Sequence, residues 1–218
     1  MLVLALDTST PAVTAGVATL AGADVTVLAE RVTVNPRAHG ELITPHLLAA
    51  AREAEVALRE VDAIVCGVGP GPFTGLRAGM ATAAALGHGL GINVYPVCGL
   101  DAIAAQATPG EPFLVVTDAR RREVYWAAYD EHGARVDGPH VQAPEPLGRP
   151  VAAGDGARQY AERLGVRVVE PYYPATAGLV TAAREALLAG EAPAPLTPLY
   201  LRRPDAVEPS ARKRVTAP

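Results

Sequence analysis

The chain has 218 residues, 50% of them hydrophobic and 19% charged, enough apolar side chain for one large or two small folded cores. A formal charge of -4 argues against autonomous nucleic-acid binding, which draws on a basic face, and Cys66 and Cys98, each in an apolar run, fit buried small hydrophobes better than a disulfide framework or a metal site. No apolar run reaches membrane-spanning length, and the N-terminus carries Asp7 without a basic leader, so a cytoplasmic protein is expected.

In chain order, residues 2–6, 12–20 and 24–34 are apolar or Val/Thr-rich runs separated by Thr10-Pro11 and Ala21-Gly22, the pattern of a three-stranded meander. From Glu41 to about Leu58 the apolar residues recur at helical spacing, with Leu42, Ile43, Leu47, Leu48 and Ala51 on one side and Pro45 near the start. A strand at 62–68, a helix of small residues at 73–90, a strand at 92–97 and a short helix at 99–107 complete a βββαβαβα order. The next stretch begins in the same way. Aligned at an offset of 111, Asp7 meets Asp118, Val13 meets Val124, Gly22 meets Gly133, Ala23 meets Ala134 and Val25 meets Val136, which reads as a duplication. Residues 150–165 read as a strand and a helix, and residues 175–190 as a helix closed by Gly190. The expected fold is α/β, built from tandem actin-like (ribonuclease-H-like) βββαβα units, the second abbreviated. Boundaries fall at 1–107 and 108–204, with a disordered tail at 205–218.

The segment 65–79, VCGVGPGPFTGLRAG, places Gly67, Gly69, Gly71 and Gly75 before a helix, the raw material of an anion cradle. It lacks the lysine of a Walker loop, and Pro70 and Pro72 remove two N–H donors. The chain's only lysine is Lys213, and its serines are Ser9 and Ser210. A lysine grip on phosphate therefore has no core residue to use, and a serine hydrolase would rest on Ser9 without a G-x-S-x-G elbow. Asp7, Thr8, Ser9, Gly69, Gly71, Thr74 and Asp118 are the nucleotide-binding candidates. Asp7 has two readings, a carboxylate that orients a metal-bound phosphate and one that caps an Asx turn, and the missing lysine favours the turn. His39 and His46 are seven apart across Pro45, which is not the spacing of a helical metal pair. His88, His132 and His140 read as surface or packing residues.

Four stretches together, LALDTST at 3–9, RAHGELITPHL at 37–47, GVGPGPFTGLRAG at 67–79 and DARRREVYWAAY at 118–129, resemble the TsaB (YeaZ) family of tRNA threonylcarbamoyladenosine biosynthesis; PLYLR at 198–202 is similar to the family's closing segment. The family motif usually has serine where this chain has Pro72. The resemblance implies a two-domain actin-like fold and a non-catalytic role. The protein would bind and support the paralogue TsaD, which holds ATP and a metal and modifies adenosine 37 of ANN-decoding tRNAs. The ATPase TsaE would join the assembly, tRNA would be met indirectly, and the isolated chain would be a homodimer. TsaD's His-x-x-x-His metal pair has no counterpart in the segment 97–107, so no metal and no required cofactor are expected, with room left for ATP or ADP at the partner interface. The resemblance further implies that the helix after His39 and the small-residue helix form a bundle with the partner, through His39, Glu41, Leu42, Arg77, Ala78, Met80, Ala81 and Ala84. A glycoprotease-like hydrolase and a small-molecule kinase of the same fold are the competing readings.

Overall fold

The structure, a computed structural model, describes residues 1–190 and 192–202. The tail expected at 205–218 lies outside the described residues. The first unit runs β1 (Leu2–Asp7), β2 (Ala12–Ala21), β3 (Asp24–Val34), α1 (His39–Glu53), a 3-10 turn (Leu58–Glu60), β4 (Ala63–Gly67), α2 (Phe73–Leu90), β5 (Asn93–Val97) and α3 (Gly99–Ala104). β1, β2 and β3 are antiparallel neighbours, whereas β4 pairs parallel to β1 and β5 parallel to β4, giving the order β3-β2-β1-β4-β5. β1 and β4 are interior strands covered on both faces, which is why their letters are apolar without alternation.

The second unit runs β6 (Phe113–Asp118), β7 (Val124–Tyr129), β8 (Arg135–Gln142), β9 (Val151–Ala153), α4 (Asp155–Gln159), α5 (Ala161–Leu164), β10 (Arg167–Val169) and α6 (Thr176–Ala189). Its order, β10-β9-β6-β7-β8, repeats the first sheet strand for strand. β6 starts and ends 111 positions after β1, the offset of the sequence repeat, but β9 starts only 88 after β4. The missing 23 residues correspond to α1 and the turn behind it, because β8 and β9 are joined by a short irregular stretch, 143–150, with no helix. This is the abbreviation that the sequence predicts. Two details differ from expectation. The helix at 155–164 breaks at Tyr160 into α4 and α5, and the short strand β10 follows them.

The closing helix of each unit does not cover its own sheet. α3 lays Leu100, Ile103 and Ala104 against Phe113, Val115, Ala127, Tyr129, Val151 and Ala153 of the second sheet. α6, which falls in the stretch expected to form the second unit, lays Leu179, Val180, Ala183 and Leu187 against Val3, Ala5, Ala18, Leu20, Ala63 and Val65 of the first. Each fully buried leucine contributes on the order of 2 kcal/mol to this exchange. Where the helices cross, Gly178 of α6 meets the carbonyl of Ala102 so closely that a Cβ at 178 would overlap it. Gly190 ends α6 in a left-handed C-cap, φ 63°, as its position in the sequence implies.

This crossing sets the first prediction. Gly178→Ala should lower unfolding stability by about 2 kcal/mol, the cost of forcing a methyl group into a packed backbone contact. The nearby Ala182→Gly, on an exposed position of the same helix, should cost no more than about 1 kcal/mol, the propensity difference alone. Urea denaturation of both variants separates a packing effect from a propensity effect.

Candidate functional site

Asp7 ends β1, and the turn that follows is folded on itself. The Asp7 carboxylate accepts the Ser9 N–H at 2.9 Å and the Ser9 hydroxyl at 2.8 Å, which is an Asx turn. Asp7, Thr8, Ser9 and Thr10 are all buried, with Asp7 only 1% exposed. Thr8 clips the first turns of α2: its hydroxyl donates to the carbonyl of Gly75 at 2.7 Å and accepts the N–H of Gly79 at 3.0 Å. The glycines of the loop let the protein approach itself. A Cβ on Gly67 would strike the Asp7 carboxylate, one on Gly71 the Ser9 carbonyl, and one on Gly79 the Thr8 hydroxyl. Gly69 uses its carbonyl on the N–H of Gly99 at 2.7 Å. Asp7, Thr8, Ser9, Gly69 and Gly71 are therefore brought together, closed against one another.

The remaining nucleotide candidates are Thr74 and Asp118. Thr74 is exposed in the first turn of α2. Asp118 closes β6, accepts the Arg120 N–H at 3.2 Å, and shares its surroundings with Asp155 and Tyr160. Asp155 was not singled out from the sequence, although Gly154-Asp155-Gly156 punctuates a strand end as a functional turn does. Its Oδ1 is buried with no hydrogen-bond partner among the described residues. Burial raises the carboxyls of both Asp7 and Asp155 to about 6; Ser9 opposes the rise at Asp7, and at Asp155 the Asp118 N–H opposes it. Burial also pushes the Cys66 thiol upward and that of Cys98 to about 11, so neither is a ready thiolate at neutral pH.

The small-residue helix has two distinct faces. Gly75, Gly79, Ala83 and Gly87 form its buried column, against Thr8, the His39 ring, Ile92 and Val94. Ala81 and Ala84 are exposed and Ala78 is half-buried. Met80 is not: it is 7% exposed and packs into the core shared with Leu76, Ile43 and Leu47. His39 is also displaced from the expected surface. It is 8% exposed, and its Nε2–H donates to the Thr10 carbonyl at 2.7 Å, so it fastens the start of α1 to the β1–β2 turn. Glu41 is exposed and Leu42 half-buried against the core. Arg77 is exposed but engaged, its guanidinium 3.6 Å above the Phe73 ring and its Nε–H donating to the Tyr200 hydroxyl at 2.7 Å.

Between α1 and α2 runs an apolar groove of about 470 Å³, whose walls include Leu47, Leu48 and Leu58 on one side and Ala81, Ala85 and Leu86 on the other. Leu48 is 46% exposed at its rim. Leu48, Leu58, Ala85 and Leu86 were not among the expected contacts. Their signal was present in the spacing of Ala81 and Ala85, four residues apart on one exposed helical face.

Two mixed five-stranded sheets with exchanged closing helices define an α/β protein of the actin-like kind. The profile of the family described as TsaD, tRNA N6-adenosine threonylcarbamoyltransferase, matches residues 26–195. The solved structure of YeaZ from Pseudomonas aeruginosa superposes with a TM-score of 0.77 at 32% identity, covering 92% of this chain and 99% of that one. The chain belongs to the TsaB/YeaZ family. An uncharacterized protein of Mycobacterium tuberculosis is 56% identical over 94% of this chain and 93% of its own length. The tRNA threonylcarbamoyladenosine biosynthesis protein TsaB of Haemophilus influenzae is 35% identical over 62% of this chain and 56% of its length.

The raised carboxyls set the second prediction. An acid whose folded pKa lies above its unfolded value favours the protonated folded state, so stability is highest below pH 4 as far as these two groups decide and falls as pH rises from about 4 to about 6. Asp7→Asn and Asp155→Asn should each remove part of that fall, on the order of 2 kcal/mol, and should leave stability at pH 7 unchanged or improved. Urea midpoints measured from pH 4 to pH 7 test this; a variant with an unaltered pH profile would show its carboxyl to be ionised throughout.

Proposed function

We propose that this chain acts in tRNA threonylcarbamoyladenosine formation as a non-catalytic subunit that docks and supports a TsaD-type paralogue. The observation that carries the reading is the α1–α2 groove. It is an apolar concavity lined by leucine and alanine, on the only helix pair of the first unit that faces away from both sheets' exchanged helices. Small side chains on α2 allow a partner helix to approach closely, and the exposed Leu48 supplies an apolar anchor at the rim. The TsaB names of relatives at 32–35% identity support the process.

The absence of catalysis by the isolated chain is part of the proposal. It is supported by the closed state of the Asp7 turn, by thiols raised away from reactivity, and by histidines committed elsewhere, His39 to Thr10 and His46 to Thr33. A homodimer through the same groove when the partner is missing, a TsaE-type ATPase joining the pair, ATP or ADP held between the subunits, and a cytoplasmic setting belong to the same reading. Among the described residues no helix is long and apolar enough to cross a membrane.

Ala81→Glu and Leu48→Glu should each give a folded protein, with melting within a few degrees of the parent, that no longer co-purifies with a tagged TsaD-type partner and no longer supports tRNA modification. A buried unpaired carboxylate at such an interface costs about 3 kcal/mol or more, at least a hundredfold in affinity. Met80→Glu, by contrast, should fail to fold, because Met80 lies in the core. Undiminished binding by both well-folded groove variants would place the partner surface elsewhere.

A further inference from the structure

The place where α1 would lie in the second unit is not empty protein surface. In the first unit α1 packs on β2 and β3; in the second, the same face of β7 and β8 carries a pocket of about 450 Å³ lined by Trp126, Pro139, His140, Val141, Gln142 and Leu201. Trp126 is 9% exposed, and its indole Nε1 finds no hydrogen-bond acceptor among the described residues. A buried indole N–H without an acceptor is costly, and it belongs to a side chain of the pocket wall. His140 lies on the indole with ring centroids 4.9 Å apart, and its Nε2–H donates to Asp137 at 2.8 Å, which fixes the imidazole. The outer side of this ring is open, at 48% side-chain exposure.

At the foot of the pocket stands the β6–β7 hairpin. Its tip, Arg120, Arg121 and Arg122, holds three successive non-glycine residues at φ 62°, 55° and 62°, closed by the Glu123 N–H on the Arg120 carbonyl at 3.0 Å. Left-handed backbone at three arginines costs about 1 kcal/mol or more per residue, and crowding like charges adds to it. Stability alone would select asparagine and glycine in such a turn. The two carboxylates at the hairpin's base are already matched, Asp118 to Arg120 and Glu123 to Arg202. Arg202 also donates to the Arg120 carbonyl at 3.2 Å, and its neighbour Leu201 forms the pocket wall, so hairpin and pocket are one connected surface. Arg122, exposed, is two positions before Val124, which pairs with Gln142 in that wall.

We infer that this surface binds a nucleotide unit, with the base against His140 and the Trp126 indole edge and the phosphate on Arg122 at the tip of the hairpin. The Gln142 amide supplies polar contacts to a base edge, the imidazole supplies a stacking face, and the Arg122 guanidinium neutralises phosphate in a chain whose net charge is otherwise negative. The site is separate from the Asp7 turn and from the α1–α2 groove, and it stands whether or not a partner docks there. The same chemistry occurs in single-stranded RNA and in free nucleotides, so the test has one arm for each.

Trp126 is the chain's only tryptophan, so its emission reports on the pocket directly. The full chain is titrated at low salt with a mixed-sequence single-stranded RNA decamer and, separately, with AMP. Quenching by the decamer at much lower concentration than by AMP identifies RNA as the source; equal quenching by AMP identifies the free nucleotide. Arg122→Ala should weaken the decamer about tenfold and reduce its salt dependence by roughly one counterion, and His140→Ala should weaken it about tenfold at unchanged salt dependence. Trp126→Phe, read by filter binding, should also lose affinity while keeping the ring. No quenching by either ligand up to millimolar concentration overturns the inference, as does quenching that Arg122→Ala and His140→Ala leave unaltered while both variants melt like the parent.

Discussion

Neither sheet of this protein can be finished by its own unit. Each has one face covered by helices that the chain lays down locally, α1 and α2 on the first and α4 and α5 on the second, and one face covered by a helix delivered from the other unit. Because α3 and α6 also pack on each other, their crossing at Ala102 and Gly178 joins two hydrophobic cores that would otherwise be separable. A small domain buries a lower fraction of its surface than a large one, so the exchange contributes stability that two independent units of this size would lack. It also fixes the angle at which the strand ends carrying Asp7 and Asp118 face the rest of the chain.

The glycine-rich segment before α2 illustrates how one set of letters serves opposite physical ends. Glycine permits close approach, and a phosphate is one thing that can approach. Here the approaching group is the protein's own β1–β2 turn, whose carboxylate and hydroxyls satisfy the N–H and carbonyl groups around them. The result is a rigid junction between β1, α1 and α2, held by Thr8 on one side and by the His39 contact with Thr10 on the other. That rigidity positions the outer faces of α1 and α2 as a fixed pair, which a groove for another molecule requires.

Much of this architecture was legible in the letters. Apolar and Val/Thr-rich runs placed the strands and a 3.6 period the long α1 helix of the first unit, and the offset of 111 between Asp7 and Asp118 predicted that the sheets would match. What was not legible has common causes. The exchange of α3 and α6 is a tertiary choice: an apolar helix looks the same whichever sheet it covers. β10, three residues long, carries too little pattern to stand out from a loop. His39 and Met80 were misplaced because helical phase, not composition, decides which side of a turn is buried, and a histidine inside a protein differs from one outside only by having a carbonyl within reach. The Asp155 turn and the Trp126 pocket depend on contacts between segments distant in sequence, and no spacing encodes those.

The lost counterpart of α1 limits the valence of the proposed docking. Two complete repeats would present two helix-pair grooves related by the internal pseudo-symmetry, and a protein with two equivalent docking faces pointing in different directions can link partners into open-ended chains. With 143–150 running as an irregular stretch in place of a helix, the second unit has no such helix pair among the described residues. Association through the proposed groove would therefore end at a closed pair.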